Sequence, residues 1–320
     1  MTREWSDAAR PLTRPSRLRP GSRVAVVAPS GPVPAERLEG GLAILREWGL
    51  EPVVGPHVLA VHPELDHLAG ADADRAGDFQ AAWCDPSVAA VLCARGGYGA
   101  HRMVDLVDWA AVRAAGPKVF VGYSDVTALH EAIALRAGFA TLHGPMTATD
   151  TFREDAVARE HLRATLFEPE TVRTLGLPTA SALVPGRARG VLYGGCASLL
   201  AAGIGAPGGR THARGGLLAI EDTGEEPYRL DGILTRLLRS GALAGVAGVV
   251  CGSWQECGPY EKVRAVLAER LGPLGIPVAE ELGFGHGPAA RTIPLGVPAV
   301  LNAPADGGRC TLTVEVPALL

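Results

Sequence analysis

Three residues of different chemical type stand where apolar runs of this chain give out. Ser124 follows Val119-Phe120-Val121-Gly122-Tyr123, Glu221 follows Leu217-Leu218-Ala219-Ile220, and His286 lies between glycines in Gly283-Phe284-Gly285-His286-Gly287. A serine hydroxyl is a weak nucleophile until a base takes its proton. An imidazole can do that near neutral pH, and a carboxylate can fix the imidazole's orientation. The set therefore offers nucleophile, orienting carboxylate and general base. Each residue also has a plainer reading. Ser124 could cap the helix that begins at the turn. Acidic residues before a helix serve its dipole, which is the reading for Glu225 and Glu226. A lone loop histidine is usually without function. The coincidence of all three at strand ends favours the catalytic reading. Ser124 is not in a G-x-S-x-G motif, since Val126 stands where the second glycine belongs, and that counts against a standard α/β-hydrolase.

A further stretch, Arg95-Gly96-Gly97-Tyr98-Gly99, follows the apolar Val88–Ala94. Its glycines let the backbone approach a ligand closely. It could supply N–H donors to a developing oxyanion, cradle a phosphate, or simply turn. It matches neither G-x-G-x-x-G nor the P-loop pattern. His57, His62 and His67 are five residues apart, wrong for one helix face, and no cysteine or carboxylate cluster completes a metal site there, so they read as a solvated loop. No metal and no cofactor are expected.

The elements that must position these residues alternate. Arg23–Pro29, Val53–Val54, Val88–Ala94 and Lys118–Tyr123 read as short buried strands; Ala35–Trp48, Asp72–Trp83, His101–Trp109 and Val126–Arg136 read as helices. That is the pattern of an open, mostly parallel sheet with helices on both faces, which places ligands outside the carboxyl ends of its strands. Residues 1–21 read as a loose tail, 22–165 as the domain bearing Ser124, 166–188 as a Pro- and Gly-broken linker, and 189–320 as a second domain carrying Glu221 and His286.

The composition excludes several classes. The chain is 320 residues long, 47% hydrophobic and 20% charged, enough for a sizeable core. A net charge of -4 gives no electrostatic case for nucleic acid or an anionic membrane. No apolar run reaches membrane length, and Met1–Pro20 has no apolar core of a signal peptide. The 6 cysteines are scattered without a C-x-x-C pair, as in a reduced cytosolic protein.

Taken together, these stretches resemble the LD-carboxypeptidase family of serine peptidases, which includes microcin C immunity proteins. The matching segments are Val26–Ser30, Ala94–Gly99, Val121–His130, His143-Gly144-Pro145-Met146, Gly194-Gly195 with Ser198-Leu199, Ile220–Asp222 with Pro227–Asp231, and Gly285-His286. The resemblance implies a Rossmann-like (flavodoxin-like) N-terminal domain, a smaller α/β C-terminal domain, and a site between them. It implies Ser124 as nucleophile, Glu221 as orienting carboxylate and His286 as base. The backbone N–H groups of Gly97 and Asp125 would form the oxyanion hole, with Gly96 and Tyr98 near the substrate. The implied reaction is removal of the terminal D-alanine from a cytoplasmic murein tetrapeptide in peptidoglycan recycling, by a homodimer. A microcin-immunity-like hydrolase of aminoacyl-nucleotide conjugates is the alternative, for which Trp254 could be a stacking platform. A non-catalytic ligand-binding module is the remaining one. Cys196-Ala197 and Ala289-Ala290 depart from the family pattern without touching the triad.

Overall fold

A computed structural model describes residues 9–320. In chain order its strands are β1 (Arg23–Val27), β2 (Glu51–Val54), β3 (Ala90–Cys93), β4 (Val119–Gly122), β5 (Thr141–His143), β6 (Thr174–Leu175), β7 (Ser181–Val184), β8 (Gly186–Cys196), β9 (Leu217–Thr223), β10 (Gly248–Gln255), β11 (Val278–Glu280), β12 (Ile293–Leu295), β13 (Pro298–Ala303) and β14 (Thr311–Val314).

They form two sheets, one of six strands in the order β12-β5-β4-β3-β1-β2 and one of eight in the order β6-β14-β13-β8-β9-β10-β11-β7. Strands β1 to β5 are mutually parallel, and β1, β3, β4 and β5 are buried, which is why β1 and β3 read as continuous apolar runs rather than alternating ones, while β2 is a partly exposed edge strand. Their order, 2-1-3-4-5, is the flavodoxin-like one, whose switch point lies between β1 and β3. The loops after those two strands meet there: Gly31 N–H donates to Gly96 O at 3.0 Å. Helices Ala35–Glu47 and Asp72–Cys84 cover the sheet through Leu38, Leu42 and Leu45, and through Phe79 and Trp83.

In the second sheet β8, β9, β10 and β11 run parallel, and the helices Pro227–Arg239 and Tyr260–Leu271 pack on them. The fold is therefore a two-domain α/β architecture with a Rossmann-like first sheet, as the alternation predicts. The second sheet, although in the domain expected to be smaller, has the more strands.

The structure corrects two expectations. The tail is not loose from residue 9 onward: Ala9 N–H bonds Arg214 O, Leu12 N–H bonds Gly296 O, Thr13 bridges Phe139, and Leu18 is buried. Residues 1–8 of that tail lie outside the described residues. The stretch 166–188 is not a free linker either. Its prolines and glycines separate β6, β7 and the start of β8, all of which pair within the second sheet. A third feature has no counterpart in the sequence reading. β12 comes from beyond His286 yet pairs antiparallel with β5, the last strand of the first sheet.

Candidate active site

Ser124 sits on the turn between β4 and the helical segment that runs from Ser124 to Ala132. Its φ is 64°, a left-handed conformation that costs a non-glycine residue of order 1–3 kcal/mol and persists only where surroundings impose it. Such a turn holds the side chain out of the sheet. The next layer explains the glycine before it in space: a methyl group at Gly96 would lie 3.0 Å from Ser124 Cβ and 3.1 Å from its Oγ. The Gly96-Gly97 turn thus presses directly on the serine. The turn is held from below by His130, whose Nε2 donates to Gly122 O at 2.8 Å while its Nδ1 meets Thr141 Oγ1 at 2.8 Å. Burial pushes the His130 pKa down to about 3, so this ring is a neutral structural donor.

Glu221 and His286 come together directly. His286 Nδ1 lies 2.6 Å from Glu221 Oε2, and Glu221 is fully buried. This contact needs glycine at 285: a methyl group there would fall 2.6 Å from Glu221 Oε2 and 2.7 Å from Ser253 Oγ, and the φ of 104° is one only glycine adopts readily. Ser253 Oγ accepts the Gly287 N–H at 2.8 Å and fixes the other side of the histidine loop. Burial alone would raise the Glu221 pKa, but the nearby imidazoles of His286 and His143 outweigh it and hold the carboxyl down at about 2. For His286 burial works against the cation, yet the charge and hydrogen bond of Glu221 prevail and the pKa is raised. An ionised carboxylate against a basic imidazole is the arrangement a general base requires.

The two domains meet at this point. Tyr123, the neighbour of Ser124, packs against the His286 ring with centroids 4.7 Å apart. Cys196 N–H donates to Thr127 Oγ1 at 3.0 Å, which docks the end of β8 on the helix after Ser124. Among the described residues Ser124 Oγ and His286 share no hydrogen bond, a looseness common in active sites without substrate. The N–H groups of Gly97 and Asp125 take no part in the backbone hydrogen bonds joining separate elements. Asp125 instead works through its side chain: Oδ2 accepts the Ala100 N–H at 2.8 Å and ties the helix after Ser124 to the end of the glycine turn.

Other expected residues fall elsewhere. Tyr98 is exposed at the rim, beside the His67 ring. Trp254 is buried among Leu218, Leu230, Leu234 and Val263, on the face of β10 opposite to Ser253, so its ring is not offered for stacking. The sequence reading places Trp254 after a strand; the strand in fact extends to Gln255, and a register shift between Cys251 and Trp254 turns the tryptophan into the same core as Val249 and Cys251. His57 is engaged by Asp78 at 2.8 Å, and His62 Nδ1 accepts local backbone N–H groups. At the first departure from the family pattern, Cys196 Sγ donates to Asp222 Oδ1 at 3.1 Å and Ser198 N–H to Oδ2 at 2.7 Å. At the second, Ala289 N–H donates to Asp155 Oδ2 at 2.6 Å, another tie between the halves of the chain.

Sequence reasoning assigned no role to Tyr123, Ser253 or His143. His143 ends β5, its Nε2 lies 3.5 Å from Glu221 Oε1, and its position in the His143–Met146 stretch at a strand end was the available signal.

A two-domain α/β protein with a serine and a Glu–His pair at converging strand ends has the construction of a hydrolase. The N-terminal domain of the LD-carboxypeptidase family matches residues 24–144, and its C-terminal domain matches residues 189–301. The chain belongs to the LD-carboxypeptidase family. It is 64% identical over 313 residues to a putative carboxypeptidase of Streptomyces coelicolor, covering 97% of this chain and 98% of the relative. It is 35% identical over 296 residues to a probable murein peptide carboxypeptidase of Bacillus subtilis, covering 90% and 91%. The muramoyltetrapeptide carboxypeptidase of Oxalobacter formigenes superposes with a TM-score of 0.79 at 29% identity, over 92% of this chain and 99% of that one. An MccF-like protein of Bacillus anthracis superposes with a TM-score of 0.81 at 22% identity, over 94% and 99%, which speaks to the fold alone. No helix among the described residues is long and apolar enough to cross a membrane.

Proposed function

We propose that this chain is a serine carboxypeptidase that hydrolyses an L,D-peptide bond and removes the terminal D-alanine of murein tetrapeptides. Ser124 Oγ attacks the carbonyl carbon while His286 takes its proton, and Glu221 holds the imidazole and balances its charge. The Gly97 and Asp125 N–H groups receive the oxyanion. Collapse of the tetrahedral intermediate breaks the C–N bond, and the proton on His286 passes to the departing amine of D-alanine. Water, deprotonated by His286, then adds to the acyl-enzyme and releases the shortened peptide and the Ser124 hydroxyl.

The observation that carries this reading is the 2.6 Å Glu221–His286 contact, delivered from the second domain onto the neighbour of a serine held at φ 64°. The names of the murein peptide and muramoyltetrapeptide carboxypeptidases among its relatives support the substrate. The aminoacyl-nucleotide alternative loses its proposed aromatic platform, because Trp254 is buried. We place the nucleophile in a domain of residues 22–165 and its partners in one of 189–320, and the enzyme in the cytoplasm as a homodimer acting in peptidoglycan recycling.

The test is release of D-alanine from a murein tetrapeptide by the purified protein, followed by mass spectrometry, with an aminoacyl sulfamoyl adenosine in parallel. Ser124→Ala is expected to lower kcat on the order of 10⁴-fold or more while the protein stays folded. Wild-type turnover by that variant would overturn the mechanism, and exclusive hydrolysis of the nucleotide conjugate would overturn the substrate.

A further inference from the structure

Glu221 has two carboxylate oxygens, and the triad uses one of them. Oε2 is engaged by His286, while Oε1 is buried without a hydrogen-bond partner. An ionised carboxylate oxygen left dry and unpaired is costly, more so than a neutral group. The group facing Oε1 is His143 Nε2, at 3.5 Å, itself buried and without another partner. The two orphaned atoms thus stand 3.5 Å apart, each the other's neighbour in a dry site.

The surroundings of His143 hold its ring in that direction. It ends β5 in register with Gly122, the residue two before Ser124. The rings of Tyr123, His130 and Phe284 lie 5.9, 6.1 and 5.9 Å from it, from the serine turn, the following helix and the histidine loop respectively. The elements that deliver Ser124 and His286 thus also pack His143.

Resting on the catalytic reading above, we infer that His143 is a positioning residue, an Nε2–H donor that anchors the second oxygen of Glu221 so that the first stays aimed at His286 Nδ1. With Oε1 tethered to the first sheet, the carboxylate cannot rotate away when the imidazole gains its proton. Glu221 then bridges two imidazoles, one that exchanges a proton with substrate and one that does not.

The test compares His143→Phe, which fills the ring's space without a donor, with His143→Gln, which restores an N–H near the Nε2 position. The readouts are kcat and KM on a murein tetrapeptide and the low-field proton resonance of His286 Nδ1–H, identified by its loss in Glu221→Gln. His143→Phe is expected to lower kcat about ten- to hundred-fold with KM nearly unchanged, a size typical of residues that orient a functional group from behind. It should also shift or broaden the resonance, and His143→Gln should recover both. Should phenylalanine prevent folding, His143→Leu carries the same comparison. Wild-type kcat and resonance in the donor-less variant, or equal impairment in His143→Gln, would overturn the inference. The resonance is read without turnover, so a protein inactive on murein peptides would refute the substrate reading and still decide the role of His143.

Discussion

Asp125 and Ala100 are joined by a side-chain to backbone hydrogen bond of 2.8 Å, and this single contact couples the two turns that carry the proposed oxyanion donors. Asp125 is buried, and its backbone N–H is one proposed oxyanion donor; Ala100 closes the Gly96–Gly99 turn that carries the other. Asp125→Ala should leave the Ala100 N–H buried and unsatisfied, at a cost of about 1–3 kcal/mol in a urea melt. It should lower kcat as well, because the two donors lose their common brace. Asp125→Asn keeps an acceptor oxygen and is expected to stay closer to wild type in both measurements. Equal behaviour of the two variants would show that the contact is not what holds the turns.

The pH profile follows from the Glu221–His286 pair. The His286 pKa is raised by Glu221 despite burial, so the neutral base forms only as pH passes a value above about 6.5. The acid limb of kcat/KM should therefore be centred above that point. In Glu221→Gln the charge is gone, and the limb should move to lower pH along with a large loss of rate. Stability has the opposite sense for the two partners. The contribution of His286 is fully present below about 6.5 and fades as pH rises through its folded value. That of Glu221 is present above about 4.3 and is lost as pH falls toward its folded value of about 2. A limb unmoved by Glu221→Gln would remove His286 as the titrating base.

Gly96→Ala tests the contact between the glycine turn and the serine. The added methyl group would meet Ser124 Cβ at 3.0 Å, so one of the two must shift by a few tenths of an ångström. Since Gly96 has no positive φ, little backbone strain is added. The expected result is a fall in kcat of about ten- to hundred-fold with a melting temperature close to wild type, since small misplacements at reacting atoms are costly. An unchanged kcat would mean that the turn yields and the serine does not depend on it.

The triad should behave as one unit. Ser124→Ala combined with His286→Ala is expected to be little worse than Ser124→Ala alone, because the imidazole has no proton to take once the hydroxyl is gone. Additive losses in steady-state kinetics would indicate that His286 acts on something other than Ser124.

The parts of the molecule that were readable beforehand are those whose meaning is local. β1, β3 and β4 announce themselves as dry apolar runs, Ser124 and Glu221 stand out because each ends such a run with a reactive group, and His286 because it lies bare between glycines. What could not be read depends on chain segments far apart. β12 is three residues with a proline at its centre, and nothing near Ile293 says that it will pair with His143. Leu12 and Leu18 sit in an Arg- and Pro-rich stretch whose buried contacts come from Gly296, Phe139 and the Leu320 region. Trp254 turns into the core through an irregularity in the pairing of β10 with β9 between Cys251 and Trp254, which local pattern does not announce. His143 gains its significance only once Glu221, from another domain, stands 3.5 Å away.

The pairing of β12 with β5 has a consequence for how the molecule is made. Chains emerge from the ribosome amino terminus first, and domains generally fold as units in that order. Here the serine-bearing sheet has its outer strand waiting, with an open edge of the kind that invites wrong partners, until residues 293–295 have been synthesised. His286 lies only seven positions ahead of that strand. The last edge of the first sheet and the proposed base are therefore delivered by the same late segment, so that a nascent chain carrying Ser124 cannot complete the proposed triad until residues 286–295 have been translated.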